Sequence, residues 1–365
     1  MPNFKIHRHM CRIEIFPGRQ ALLNFMRFWI SGLHMLDTPV VMIVFRRPEH
    51  TERVLLAIRR ARPKKLLVIA DGPNPDRPGE VEKCAAARAV VDRLVDWDCE
   101  LLKNYSETNL GVERRFHTGF DWVFEQCESA IILEDDELPD DSFFDFCQSL
   151  LELYRDDERV MAVNGTNYQF GQYSTPHSYY FSRYFHCWGF ATWRRAWKQY
   201  DVKIRRWPEL RGTPWLMDIC AGNNTEARYH AEVFDRLTRG EIHTWDYQVT
   251  FAMWANSGLA ITPNVNLVSN IGFGAGALHH TGTDSPFANM ATVEMPQPLL
   301  HPPSVLRDLT ADRLEYERLI EAFILSRRGP LSRRILHQLR RIYSAVPLRM
   351  PGRQGTKSAK ENAKN

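Results

Sequence analysis

The residues best suited to chemistry stand where apolar runs end. Residues 130–133 lead straight into Glu134, Asp135 and Asp136, residues 40–45 into Arg46, Arg47 and Pro48, and residues 66–70 into Asp71, Gly72 and Pro73. Adjacent carboxylates repel one another unless a cation neutralises them, so three in a row are costly in a partly buried place and cheap on an open surface. Here Pro139, Phe143, Phe144 and Phe146 follow at once and lead the chain back into packed structure. Each feature alone is ordinary, because strands commonly exit into polar loops. A cation pair, a lone carboxylate and an acidic triplet on one edge suit a divalent metal held with an anionic, phosphorylated ligand.

Such residues need a scaffold that gathers strand ends. Short apolar runs recur at residues 40–45, 66–70, 130–133 and 160–163, with a weaker one at 99–102. Helical patterns of crossover length fill residues 49–62 and 80–94. This alternation predicts an α/β core with a parallel sheet, in which ligands bind outside the carboxyl ends of the strands.

The 365 residues, 44% apolar and 25% charged, make one large globular domain or two small ones and exclude disordered, collagenous and disulfide-scaffold chains. The net charge of +3 hides an asymmetry: residues 326–365 hold eight Arg and three Lys against one Glu, a local +10, which leaves −7 for the rest. Seven cysteines, widely spaced and without a CxxC pair, argue against a zinc ribbon and for a reducing compartment. No run approaches the roughly 18 apolar residues of a membrane span. The nearest stretch, residues 21–36, is broken by Asn24, Arg27 and His34, which share one side of a helical wheel; it reads as an amphipathic helix rather than a signal peptide.

The stretch IILEDDELPDDSFFDFC, residues 131–147, resembles the metal-binding acidic motif of glycosyltransferases with the GT-A fold. More narrowly, it is similar to bacterial family-2-like enzymes and to the N-acetylglucosaminyltransferase I group, where an EDD triplet is followed by a proline or short spacer and a Phe-Phe pair. Further segments extend the resemblance over about residues 39–280: VFRRPEHTERVL (44–55), IADGP (69–73), NLGVERRFHTGFDWVF (109–124), SRYFHCWGFATWRRAW (182–197), and WDYQ (245–248) with PNVNLVSNIGFG (263–274). Their order and spacing are specific even though each is weak alone.

The resemblance implies a GT-A, Rossmann-like α/β fold with a mainly parallel mixed sheet flanked by helices. It implies a metal-dependent, inverting enzyme that moves a sugar from a nucleotide diphosphate-sugar to a hydroxyl acceptor, in cell-surface glycan or polysaccharide biosynthesis. Asp136 would bind Mn2+ or Mg2+, Glu134 and Asp135 would meet the ribose and the metal's water shell, Asp71 the base or ribose, and Arg47 the diphosphate. A diphosphate leaving group suits a bridging metal and a guanidinium fork. Arg114 and Arg115 are candidates for the same fork, or equally a solvated helix face. Asp246 takes the place of the catalytic base, because an acceptor hydroxyl must lose its proton as the glycosidic bond forms. Trp245 beside it would stack on a sugar and shield the carboxylate; alone, such an Asp reads as a helix N-cap. Trp188 with Gly189 is the candidate sugar-stacking face, within an aromatic stretch, residues 179–197, that must otherwise be core. His279, after the glycine-rich residues 272–276, reads as a second metal ligand or as a hydrogen-bonding group for the diphosphate or a neighbouring loop. Related enzymes often carry an acidic pair where this chain has Ala275 and Gly276.

At the C-terminus, residues 331–346 place Leu331, Ile335, Leu336, Leu339, Ile342, Tyr343 and Val346 on one arc and Arg333, Arg334, His337, Arg340 and Arg341 on the other. That pattern fits an interfacial helix facing anionic headgroups, or equally a helix docked on the body. A lipid-linked sugar or glycan acceptor suits the first. Nucleic acid does not, because the acidic body would repel a phosphate backbone. The expected organisation is an N-terminal amphipathic extension (1–37), a glycosyltransferase domain (38–310), C-terminal helices (311–350) and a disordered basic tail (351–365), in a cytoplasmic protein peripheral to the inner membrane face. Two rival readings stay open: a sugar-phosphate nucleotidyltransferase, which would want a glycine-rich, lysine-containing loop where Arg46, Arg47 and Pro48 stand, and a non-catalytic carbohydrate-binding protein on the same fold.

Overall fold

A computed structural model describes residues 35–273 and 285–320. Residues 21–34 of the amphipathic stretch, His279 with its neighbours, and the basic residues 331–346 lie outside the described residues. The chain divides after Asp312 into two units. Of the second unit, residues 313–320 are described: they complete the last α-helix and form a π-helical turn, Tyr316–Ile320.

In the first unit, strand β1 (Val40–Val44) reads VVMIV and is buried along its whole length, as β-branched residues are in a strand covered on both faces. It pairs in parallel with β2 (Lys65–Ala70) on one side; β3 (Glu100–Tyr105) lies beyond β2, and β4 (Ser129–Glu134) is the partner of β1 on its other side. Helices α1 (Pro48–Ala61), α2 (Glu80–Leu94) and α3 (Val112–Gln126) make the crossovers. Pro48 opens α1 with its φ preset and no lost hydrogen bond. Then follow β5 (Glu137–Pro139), α4 (Ser142–Leu153), β6 (Val160–Asn164), β7 (Tyr179–Ser182) and β8 (Phe190–Trp193). Three short helices, α5 (Arg194–Trp197), α6 (Trp207–Leu210) and α7 (Trp215–Ile219), precede α8 (Asn224–Thr238) and α9 (Asp246–Ala255). Strands β9 (Leu259–Pro263) and β10 (Val268–Asn270) and helix α10 (Leu309–Glu315) complete the order.

The eight-stranded sheet runs β3-β2-β1-β4-β8-β6-β9-β7. Strands β8 and β7 are antiparallel to their neighbours, and the other adjacent pairs are parallel. This is the expected fold class: α/β, with a mainly parallel mixed sheet flanked by helices. Alternate residues of β1 feed opposite faces. Val40, Met42 and Val44 join the core that includes Phe143, Phe144 and Phe146 of α4, whereas Val41 and Ile43 join Phe116, Phe120 and Val123 of α3. Register gathers the strand ends, since Ile43 lies opposite Ile69 on one side and Glu134 on the other. Arg46–Arg47, Asp71 and the acidic triplet therefore leave the sheet at one edge. A separate antiparallel ribbon pairs β5 with β10 and sets Asn270 opposite Glu137.

Among the described residues no helix is long and apolar enough to cross a membrane. The described cysteines are free; Cys84, Cys147 and Cys220 are buried as small hydrophobes, while Cys187 is half-buried.

Candidate active site

The acidic turn starts where β4 ends. Asp135 is 6% exposed, and its Oδ2 accepts the Phe45 N–H at 3.2 Å. Glu137, 1% exposed, accepts the Glu134 N–H (2.7 Å) and the Gly189 N–H (2.9 Å) on Oε2, while its buried Oε1 has no hydrogen-bond partner among the described residues. The Asp136 carbonyl accepts the Ile271 N–H at 2.8 Å, which lays Gly272 against the Asp136 side chain. A Cβ at Gly272 would stand 1.9 Å from Asp136 Oδ2, so only glycine leaves that carboxylate its place. Burial, then the charges of Asp136 and Asp135, pushes Glu134 well above the usual carboxylate range, against the pull of Arg47. Burial and Asp136 push Asp135 up to about 7. Glu137 is likewise raised well above its ordinary value, by burial and then by Glu134 and Asp136. The turn holds more negative charge than it neutralises.

One guanidinium answers it. Arg47 pairs through Nη1 with Asp136 Oδ2 and lies 3.6 Å from Asp135 Oδ1. Burial lowers the Arg47 pKa, but the carboxylates of Asp136, Asp135 and Glu134 outweigh it and the net shift is upward. Arg46 turns elsewhere, donating to Glu80 Oε2 at 2.5 Å, where Glu80 also accepts the Asn74 N–H. The sequence pair thus splits, with Arg47 on the turn and Arg46 on α2. Arg47 answers Asp136, Asp135 and the charge of Glu134, and Glu137 Oε1 is left without a partner; in chemical type these carboxylates are the hard-oxygen donors that Mn2+ or Mg2+ takes, among the described residues. Among the described residues, no group of three or more His, Cys, Asp or Glu side chains converges as a preformed metal cage.

On the other side of β1, Asp71 is 9% exposed and spends both oxygens on backbone: Oδ1 accepts the Gly72 and Leu110 N–H groups, each at 2.9 Å, and Oδ2 the Gly111 N–H at 3.0 Å. Burial raises its pKa, and these donors offset part of the rise. Asp71 therefore ties the turn before α3 to the end of β2. The two arginines of α3 part company. Arg114 is exposed, whereas Arg115 is buried and donates to the Asn104 carbonyl (2.5 Å) and Oδ1 (2.7 Å) on β3. Arg115 forms no solvated face, and its guanidinium is anchored on β3 rather than at the acidic turn.

Opposite lies the stretch expected to meet an acceptor. Gly189, at φ +62°, donates its N–H to Glu137 and accepts the Gly165 N–H at 2.7 Å, so one carboxylate links the acidic turn to this loop. Trp188 is half-buried and meets Tyr168 (5.9 Å) and Phe273 (5.7 Å) edge to face. Trp245 corrects the expectation of a sugar-stacking ring. It is 4% exposed and stacked on Phe116 at 4.7 Å and on Phe190 at 5.7 Å, so it packs the core. Asp246 is the first residue of α9 and half-buried; the N-cap position is that of Trp245. Thr244 Oγ1 donates to Asp246 Oδ1, and Gln248 Nε2 holds the Thr244 carbonyl at 2.7 Å. The Asp246 charge adds to the upward push on Glu134 and on the Cys187 thiol, which puts it within electrostatic reach of the acidic turn. Sequence reasoning passed over Glu137, although it follows the triplet directly, and Thr244, two residues before Asp246.

No protein-family model matches the chain, and no curated protein matches it. Among solved structures, it is similar to a UDP-glucose pyrophosphorylase complexed with UDP-glucose, at 8% identity and TM-score 0.31 over 62% of this chain and 90% of that one. It is also similar to a UTP-bound UGPase from Acinetobacter baumannii (8% identity, TM-score 0.32, 64% and 88%) and to the apo form of mouse xyloside xylosyltransferase 1 (10% identity, TM-score 0.29, 60% and 81%). At TM-scores this low the likeness assigns no activity.

Proposed function

We propose that the protein is a metal-dependent glycosyltransferase of the GT-A type, moving a sugar from a nucleotide diphosphate-sugar to a hydroxyl acceptor with inversion. One observation carries the reading: the acidic turn at the carboxyl edge of the sheet has Arg47 paired to one side of it and Asp246 within electrostatic reach on another. Asp136 would hold Mn2+ or Mg2+, with His279 as a second ligand, and the ion would supply charge stabilisation for a departing diphosphate. Arg47 offers the diphosphate oxygens a guanidinium fork. Asp135, fixed by the Phe45 N–H, and Glu134 would meet the ribose and the metal's water shell, while Asp71 shapes the adjoining turn at Leu110 and Gly111. Asp246, with Thr244 fixing one of its oxygens, accepts the acceptor's proton as the new bond forms. Trp188 and Gly189 line the acceptor side, where a glycan or lipid-linked sugar would sit, and residues 331–346 would rest on an anionic membrane surface.

A sugar-phosphate nucleotidyltransferase would need a glycine-rich loop after the first strand. Here β1 passes through Arg46 and Arg47 directly into Pro48 of α1. Donor hydrolysis tests the proposal: slow, Mn2+-dependent release of nucleoside diphosphate from a UDP-, GDP- or dTDP-sugar is expected of the wild type and not of Asp136→Ala. No release from any donor would leave a binding protein in place of an enzyme.

A further inference from the structure

We infer that Arg47 is an exchangeable counter-ion, holding Asp136 until a divalent cation takes that carboxylate and then passing to the diphosphate of the nucleotide, so that metal and nucleotide bind cooperatively. The inference rests on Asp136 being the metal ligand. Its physical basis is competition for one atom. Arg47 Nη1 engages Asp136 Oδ2, the oxygen against which Gly272 is laid, on a side chain that is 14% exposed. Two unit charges about 4 Å apart repel by about 4 kcal/mol at an effective dielectric of about 20, and a divalent ion doubles that, so guanidinium and metal do not share this oxygen.

The surroundings allow the side chain to move while the backbone stays. Thr51, fully buried in α1, donates both its N–H (2.9 Å) and its hydroxyl (2.8 Å) to the Arg47 carbonyl, which fixes the residue at the start of the helix. Among the described residues, the guanidinium is held by Asp136 and, at 3.6 Å, by Asp135, and the Arg47 side chain is 18% exposed. Asp135 has an independent anchor in the Phe45 N–H, so the turn keeps its form when Arg47 leaves. Arg46 cannot substitute, because Glu80 holds it. With the turn neutralised by a divalent ion, the guanidinium is left without its anionic partner and beside the place where the diphosphate arrives. Reciprocity then requires each ligand to tighten the other.

Calorimetric titrations of the full chain with Mn2+ alone, UDP alone, and each in the presence of the other test this. In wild type, each ligand should tighten the other by about tenfold or more, within the usual range of such couplings. Arg47→Gln should bind Mn2+ alone about tenfold more tightly than wild type, UDP more weakly, and show reduced coupling, a tenfold change being about 1.4 kcal/mol. Arg47→Lys, which keeps the charge, should leave Mn2+ affinity near that of wild type and serves also if the Gln variant folds poorly. Unchanged or weaker Mn2+ binding in Arg47→Gln, or tighter binding in Arg47→Lys, overturns the exchange. Undiminished Mn2+ binding in Asp136→Ala would instead overturn the metal assignment beneath it.

Discussion

Gly272 sits where any side chain would collide with Asp136 Oδ2. Gly272→Ala should therefore weaken Mn2+-dependent donor binding by about tenfold or more while shifting the melting temperature little, which calorimetry and thermal denaturation read separately. At Asp246, replacing the carboxylate by an amide keeps the shape and removes the proton acceptor. Asp246→Asn should leave donor affinity intact and lower transfer by about 10²–10⁴-fold; full transfer would sink the base assignment. Thr244→Val should lower kcat about tenfold with donor KM unchanged, and Thr244→Ser should restore it, because Ser keeps the hydroxyl that donates to Asp246 and Val, the isostere of Thr, does not. At this scale the acidic triplet was legible, since adjacent carboxylates at a strand end need no knowledge of the rest of the chain. Glu137 was not, because what defines it is the Gly189 N–H, 52 residues away. Trp245 misled for the same reason: only the fold shows that Phe116 and Phe190 cover its ring.

Among the elements, β1, β2, β4 and β6 were readable as continuous apolar runs because both of their faces are buried. Strand β3 gave a weaker signal because it lies at the sheet edge and is only partly buried. The aromatic stretch containing β7 and β8 hid its strands, since apolar residues stand next to one another in both, as in Tyr179-Tyr180-Phe181 and Phe190-Ala191, and no alternation marks a face. Strands β5 and β10, three residues each, are too short to show a period. They nevertheless fix the turn, and their contact with the loop at Gly165 and Gly189 depends on close approach. A Cβ at Gly165 would lie 2.5 Å from the Gly189 carbonyl oxygen and 2.6 Å from Val268 of β10. Gly165→Ala should cost about 1–3 kcal/mol of stability through overpacking, seen as a lower denaturation midpoint at an unchanged slope. A neutral effect would show that this packing is looser than the structure implies.

At the scale of the whole molecule, the near-neutral net charge conceals an acidic body and a basic tail. The carboxylates read as functional belong to the body, and the tail lies outside the described residues. Acid stability should report on the body's buried groups. His230, on α8, is 5% exposed, both its ring nitrogens lack a hydrogen-bond partner among the described residues, and burial with the nearby Arg183 charge lowers its pKa to about 3. Glu226 faces it at 3.9 Å, itself paired with Arg183. An unfolded chain protonates this ring near its ordinary pKa of about 6.5, so its contribution to stability is full above that pH and is lost as pH falls toward 3. The stability of wild type relative to His230→Leu should therefore decline between pH 7 and pH 5, by at most about 1.4 kcal/mol per pH unit once below 6.5. A difference independent of pH would contradict a neutral buried ring.

The account as a whole stands on Asp136 as the residue through which a metal and a nucleotide meet. Calorimetric affinity for a nucleoside diphosphate, measured in Mn2+ and in EDTA for wild type and Asp136→Ala, tests it most directly. The expected result is binding in wild type that depends on Mn2+ and is lost in the variant. Tight binding that is indifferent to EDTA and to the substitution would contradict it.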